Sequence, residues 1–231
     1  LIIDDCWFDQ NYSSEGGGLI FHAAPFGTDT VALSISNSLF EENIGGGIAC
    51  RFSGGSWTNL DVDNCIFADN ERTGRGAGIY IEKTGNHKSN CRFSNCLFTG
   101  NFGTSDLGGA VRIRGVPFSF SENYNTFTNC VFARNRGATS ISSGEGYTIS
   151  SFINCTFYEN GEFDLSKNWS PDFDEAAGFF NRTYVHNCIF ERMGTSSMRE
   201  HFLNGLLEGV ENNLYEYVIS HSIVSAPNCD M

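Results

Sequence analysis

The sequence predicts an all-β fold, a parallel β-solenoid of about eight coils, and three observations support this prediction. A phrase of the form Asn-Cys-x-Phe-x-x-Asn recurs at steps of 25 to 34 residues. A glycine-rich phrase follows each of the first four copies, and the intervening stretches are short and strand-like, without a helical period. A unit of this size repeated along a chain is typical of a solenoid. We therefore expect one domain over residues 1–231.

The repeated phrase defines the coils. Its copies, aligned on their central phenylalanine, are 3-IDDCWFDQN-11, 35-ISNSLFEEN-43, 62-VDNCIFADN-70, 93-FSNCLFTGN-101, 127-FTNCVFARN-135, 152-FINCTFYEN-160, 185-VHNCIFERM-193 and a weaker eighth copy, 219-ISHSIV-224.

Two columns of this phrase are apolar and are predicted to point into the core. They lie three residues before and two residues after the cysteine, and side chains five residues apart cannot share one face of an unbroken strand. A bend must therefore separate them. The Asn column lies at that bend, because Asn and Asp tolerate left-handed backbone angles and stacked amides can hydrogen-bond to one another. The predicted ladder begins at Asp5 and continues through Asn37, Asn64, Asn95, Asn129, Asn154 and Asn187.

A second Asn column closes the phrase and predicts another corner, running from Asn11 to Asn160. The glycine phrases that follow it allow close backbone approach before the next strand. They are 16-GGGL-19, 45-GGGI-48, 76-GAGI-79 and 108-GGAV-111.

The charge of the chain excludes two classes of partner. Its net charge is −13, with 14 basic and 27 acidic residues, whereas nucleic acids and anionic membranes reward clustered Lys and Arg. No run of about 18 apolar residues occurs, so no membrane insertion is predicted. The chain opens with Leu-Ile-Ile and not with a signal segment, and we expect it to be part of a longer rod.

The nine cysteines are interpreted mainly as packed thiols, since six of them share one inward column. Parallel in-register side chains do not present the usual disulfide dihedral angle. Neither CxxC nor Cys/His spacing is present, so the sequence predicts no metal bound by sulfur and no cofactor. A weaker possibility is calcium at Asp172, Asp174 and Glu175, although a solvated acidic loop is the commoner explanation. Of the Asn-x-Ser/Thr sequons, those at Asn168 and Asn181 are the glycosylation candidates.

An enzymatic interpretation rests on one surface. Aligning the strands on the glycine phrase places His22, Arg51, Glu82 and Arg114 in an outward column, with Arg112 in the column beside it. Such a face could act on an acidic polysaccharide. Alternating charges are, however, what cross-strand pairing on an exposed face favours in any case. Asp61 and Asp63 form a second acidic patch beside Arg92, without an evident general acid.

The two phrases together resemble the paired GGA(I/L/V) and FxxN repeats of the chlamydial polymorphic outer-membrane proteins, within the wider pectin-lyase-like class. The FxxN form occurs from Phe8/Asn11 to Phe157/Asn160, while the glycine form is met strictly only at 108-GGAV-111. The resemblance covers most of the chain. It implies a right-handed parallel β-helix at a cell surface or in the extracellular space, adhesive or structural in role.

Two functional hypotheses follow from these observations. The first is a non-enzymatic rod whose loops contact protein or glycan partners. The second is a polysaccharide lyase or glycoside hydrolase that uses His22, Glu82, Arg112 and Arg114. Because an open solenoid end exposes unpaired backbone groups, we also expect neighbouring β-helix segments, of the same or another chain, as partners.

Overall fold

The structure is a computed structural model of the chain. It describes residues 1–24, 30–53, 57–74, 76–84, 88–103, 109–114, 122–136, 141–144, 147–160, 165–167, 181–191, 215–220 and 223–225.

Three parallel sheets form the fold. Every strand pairing in the described part of the chain is parallel, and each sheet takes one strand from successive repeats. The prediction of an all-β parallel β-solenoid is therefore confirmed. The first sheet contains β1 (Ile2–Asp4), β4 (Thr30–Ser36), β7 (Trp57–Asp63), β11 (Lys88–Ser94), β15 (Glu122–Thr128), β18 (Tyr147–Ile153), β21 (Asn181–His186) and β23 (Tyr215–Ser220).

The other two sheets complete the wall of the solenoid. The second contains β2 (Trp7–Asp9), β5 (Leu39–Glu41), β8 (Ile66–Ala68), β12 (Leu97–Thr99), β16 (Val131–Ala133), β19 (Thr156–Tyr158), β22 (Ile189–Glu191) and β24 (Ile223–Ser225). The third contains β3 (Leu19–Ala23), β6 (Ile48–Ser53), β10 (Ile79–Thr84), β14 (Val111–Arg114), β17 (Ile141–Gly144) and β20 (Leu165–Lys167). A short ladder pairs β9 (Glu71–Arg72) with β13 (Phe102–Gly103).

The bend between the first and second sheets lies at the predicted Asn column. Asn37, Asn64 and Asn95 have φ angles of 51°, 51° and 55°, in the left-handed region. Asp5, Asn129, Asn154 and Asn187 adopt the same conformation. The one-residue bend resets the strand alternation, which is why the apolar residue before it and the phenylalanine after it both point inward.

Stacked phenylalanines fill the core beside this bend. The rings of Phe40, Phe67 and Phe98 are fully buried, with centroids 5.0 Å and 4.9 Å apart and nearly parallel planes. The column continues in the next layers with Phe132 and Phe157, and each ring centroid lies 4.9 Å from the one before it. Each buried ring contributes about 2 kcal/mol by area, so the predicted inward column is a main source of stability.

The second Asn column is buried, and its left-handed residue is not the asparagine. Asn70 and Asn101 are both fully buried. The positive φ angle falls on the residue before each of them, at Asp69 (50°) and Gly100 (65°). The sequence prediction placed this corner correctly to within one residue. Its asparagine turns inward, because the corner's backbone groups need a polar partner inside the core.

The glycine phrases allow backbones to touch, as predicted. A Cβ built on Gly47 would lie 2.7 Å from the carbonyl oxygen of Gly78, and one built on Gly78 would lie 2.5 Å from that of Ala110. Any side chain here would collide with the backbone of the next layer.

Candidate functional site

The predicted charged column on the third sheet exists. His22 pairs with Arg51, Arg51 with Glu82, and Glu82 with Arg114 in successive strands. Arg51 lies between two carboxylates, with Nη2 2.6 Å from Glu15 Oε1 and Nε 3.2 Å from Glu82 Oε2. Arg114 Nη1 lies 3.5 Å from the other Glu82 oxygen. From Arg51 to Arg114 the column is therefore a ladder of ion pairs, while His22 at its first strand is exposed.

Arg112 does not lie on an open surface. Its side chain is 1% exposed and the neighbouring Tyr80 is 7% exposed, although both project from the outer face of the sheet. The chain that leads into β10 crosses directly over this column, since a Cβ on Gly76 would lie 2.8 Å from the Cβ of Arg112. The Arg72 guanidinium covers the Tyr80 ring, 4.2 Å from its centroid. Sequence alternation assigned the correct face, but it could not show that the glycine turn covers that face.

The second acidic patch is also held by internal contacts. Asp61 Oδ1 is 3.5 Å from Arg92 Nη1. Asp63 accepts hydrogen bonds from Ser94 Oγ at 2.6 Å and from Asn95 Nδ2 at 2.9 Å. Both carboxylates are therefore engaged by the next layer of the solenoid.

Two of the predicted sites fall outside the part of the chain that the structure describes. The calcium candidates Asp172, Asp174 and Glu175 and the sequon at Asn168 lie outside the described residues. Asn181 begins β21 and pairs with Thr148 and Tyr215. Among the residues that the structure describes, no group of three or more His, Cys, Asp or Glu side chains could hold a metal ion.

A groove that sequence reasoning missed runs along the corner between the first and second sheets. It has a volume of about 630 Å³ and spans four successive layers. One wall carries the amides of Asn37, Asn64 and Asn95, and the other carries the first residues of the strands in the second sheet. Those residues are Trp7, Leu39, Ile66 and Leu97.

The apolar wall of the groove is unusually open to solvent. Trp7 is 67% exposed and Ile66 is 41% exposed. Trp7 Nε1 donates a 2.8 Å hydrogen bond to Glu41 Oε1, which fixes the orientation of the indole ring. Strand alternation between the inward cysteine and phenylalanine columns places this column outward, and its apolar character is the signal that could have identified it.

The amide wall is a hydrogen-bonded ladder with one interruption. Asn64 Nδ2 donates to Asn37 Oδ1 at 2.8 Å, and Asn37 Nδ2 donates to Asp4 Oδ1 at 2.8 Å. Asn95 instead donates to Asp63, so the ladder breaks between Asn64 and Asn95. The Ser36 and Asn37 hydrogen bonds lower the pKa of Asp4, which keeps this end of the groove anionic. The break leaves the Asn64 carboxamide oxygen without a donor from Asn95, and Asn64 lines the groove.

The cysteine column lies just inside the same corner. Cys65 Sγ donates to Asp63 O at 3.2 Å, and Cys96 Sγ donates to Ser94 O at 3.1 Å. The eight cysteines in the described part of the chain are all free thiols. Burial raises the pKa of Cys65 to about 11. These contacts agree with the predicted role as packed thiols.

One ionisable group in the core has no partner of opposite charge. Lys83 is fully buried, and its Nζ atom has no hydrogen-bond partner among the described residues. Burial lowers the pKa of its ammonium group, while the nearby Cys91 and Cys50 thiols act in the opposite direction. Both thiols are also fully buried. Burial without a carboxylate partner therefore disfavours the charged form of Lys83.

Comparisons with protein-family models, curated proteins and solved structures found no match. In the part of the chain that the structure describes, no helix has the length and apolar character needed to cross a membrane.

Proposed function

We propose that this chain is a structural and adhesive rod at a cell surface or in the extracellular space. In this proposal it is a right-handed β-helix of about eight coils that contacts a protein or glycan partner. The resemblance of its paired repeats to surface β-helix proteins supports the location, the handedness and the role. The eight-stranded order of two sheets supports the number of coils.

The ion ladder on the third sheet is the observation that favours a rod over an enzyme. A lyase or hydrolase requires charged groups that are free to meet a substrate. Here Glu82 forms ion pairs with both Arg51 and Arg114. Arg112 lies beneath the chain segment at Gly76. Of the four residues proposed for catalysis, Glu82 and Arg114 are thus held by an ion pair and Arg112 is buried, whereas His22 is exposed.

A combined binding and cleavage screen tests this proposal. The purified chain is incubated with acidic and neutral polysaccharides and with extracellular matrix proteins, and both retention and new chain ends are measured. We expect retention on at least one ligand without cleavage. Cleavage that is lost in Arg114→Ala would contradict the proposal and establish the enzymatic alternative.

A further inference from the structure

We infer that the corner groove binds a neutral, extended, β-linked polysaccharide whose chain lies parallel to the solenoid axis. This inference rests on the proposed adhesive function and names the ligand class and its site. The site consists of the amide wall at Asn37, Asn64 and Asn95 and the apolar wall that begins at Trp7.

The two walls match the two kinds of surface that such a sugar chain presents. Exposed carboxamides can donate to and accept from hydroxyl groups. The Asn64 oxygen is available because Asn95 donates to Asp63 and not to Asn64. The exposed Trp7 ring offers a flat apolar surface to the C–H face of a pyranose ring, and Ile66 adds exposed apolar surface. Trp7 is held in place by its bond to Glu41, so little ordering is needed on binding.

The spacing of the groove favours a sugar chain over a peptide. Like residues repeat along the groove once per layer, about 4.8 Å apart. Side chains on one face of a peptide strand repeat about every 6.6 Å and fall out of register after a few layers. An extended β-linked polysaccharide advances by close to one layer per sugar.

The charges around the groove favour a neutral ligand. Asp4, Asp5 and Asp63 border the amide wall, and the chain as a whole carries a net charge of −13. An acidic polysaccharide would be repelled along the whole length of contact. A neutral polysaccharide avoids this repulsion, and its hydroxyl groups can donate hydrogen bonds to the carboxylates as well as to the amides.

Retention on immobilised neutral glycans tests the inference with three variants of the full chain. Trp7→Ala removes the exposed ring, and Asn64→Gly removes one amide while tolerating the φ angle of 51° at that corner. Trp57→Ala is the matched control, because Trp57 is 43% exposed but is not part of the groove. Unchanged circular dichroism and unfolding midpoints show that each variant folds.

We expect the wild-type chain and Trp57→Ala to bind a β-linked neutral glycan, and Trp7→Ala and Asn64→Gly to bind it roughly tenfold more weakly. Glycan binding that neither groove variant weakens would overturn the inference while leaving the adhesive function standing. Binding to acidic glycans alone, or to proteins alone, would overturn the inference in the same way. Retention on no ligand at all would overturn both proposals.

Discussion

Asn70 Nδ2 donates to Asn101 Oδ1 at 3.0 Å and to the backbone oxygen of Phe40 at 2.9 Å, so one fully buried amide joins three layers of the solenoid. Asn70 Oδ1 in turn accepts from the backbone and side-chain nitrogens of Asn43, at 3.1 Å and 2.9 Å. Asn101 repeats the same set of bonds one layer on. The buried ladder therefore satisfies the polar groups of its corner without water.

Removing one amide from this ladder is expected to destabilise the whole rod. Asn70→Ala removes the acceptor of two Asn43 donors and the side-chain donor to the Phe40 carbonyl, all inside the core. We expect a loss of roughly 2 to 4 kcal/mol in the free energy of unfolding, measured by urea denaturation. Asn64→Gly is the control, because Asn64 is exposed, and it should lose less than about 1 kcal/mol. Equal losses in the two variants would show that burial of the ladder is unimportant.

The phenylalanine column should behave as one packed unit. Phe67→Ala opens a cavity between the rings of Phe40 and Phe98 and is expected to lower the free energy of unfolding by roughly 3 to 5 kcal/mol. Phe67→Leu fills most of that volume and should lose less. Phe102→Ala, at a residue that is 41% exposed, is the control and should change stability by less than about 1 kcal/mol. A small effect at Phe67 would contradict the packing described for the column.

The buried amine of Lys83 predicts an unusual dependence of stability on pH. Its pKa is lowered in the native state, whereas the unfolded chain regains the ordinary value of 10.5. Unfolding therefore takes up a proton between those two values, and the contribution of Lys83 to stability improves as pH rises toward 10.5. Burial raises the pKa of the Cys50 thiol from its ordinary value of 9.0, so this thiol opposes the trend above pH 9.0.

Lys83→Met isolates that effect. The variant keeps the volume of the side chain without the amine, and we expect it to be roughly 1 to 3 kcal/mol more stable at neutral pH, with a flatter dependence on pH. Lys88→Met is the control, because Lys88 is partly exposed and paired with Glu122 at 2.8 Å. Denaturant titrations from about pH 6 to about pH 9 measure both. An unchanged pH dependence in Lys83→Met would place the amine in contact with solvent.

The thiols should differ sharply in reactivity. Cys6 is half-buried at the first layer, whereas Cys65, Cys96 and Cys130 are buried. Buried thiols are inert because a reagent in solution does not reach them. Brief alkylation of the native protein, mapped by peptide mass spectrometry, should label Cys6 and spare these three, with full labelling in denaturant. Labelling of Cys96 in the native protein would show that the corner opens.

The sequence predicted most of this architecture because each column obeys one local rule. The repeated phrase alone predicts the left-handed bend at Asn95. It also predicts that Phe98, three residues later, points inward. Burial of the second Asn column did not follow from it. An asparagine can lie at an exposed corner or at a buried one. In the buried column the left-handed residue is the one before the asparagine, as Asp69 is before Asn70.

The candidate surfaces were harder to predict for a related reason. Strand alternation shows which face a side chain leaves, and it correctly aligned His22 with Arg114. It does not show what covers that face, and the glycine turn at Gly76 buries Arg112. The corner groove was missed because it forms between two columns, the exposed amides and the residues in line with Trp7, and the sequence prediction assigned no role to the second column.

The most direct test is calorimetric titration of the intact chain with neutral β-linked oligosaccharides of increasing length, with product analysis of each mixture. Because the groove spans four layers, we expect affinity to rise with each added sugar up to about four and then level off. The recovered oligosaccharides should be intact. An absent affinity, or one that does not depend on oligosaccharide length, would contradict a groove in which each layer contacts one sugar. Shortened products after incubation would contradict a non-enzymatic rod.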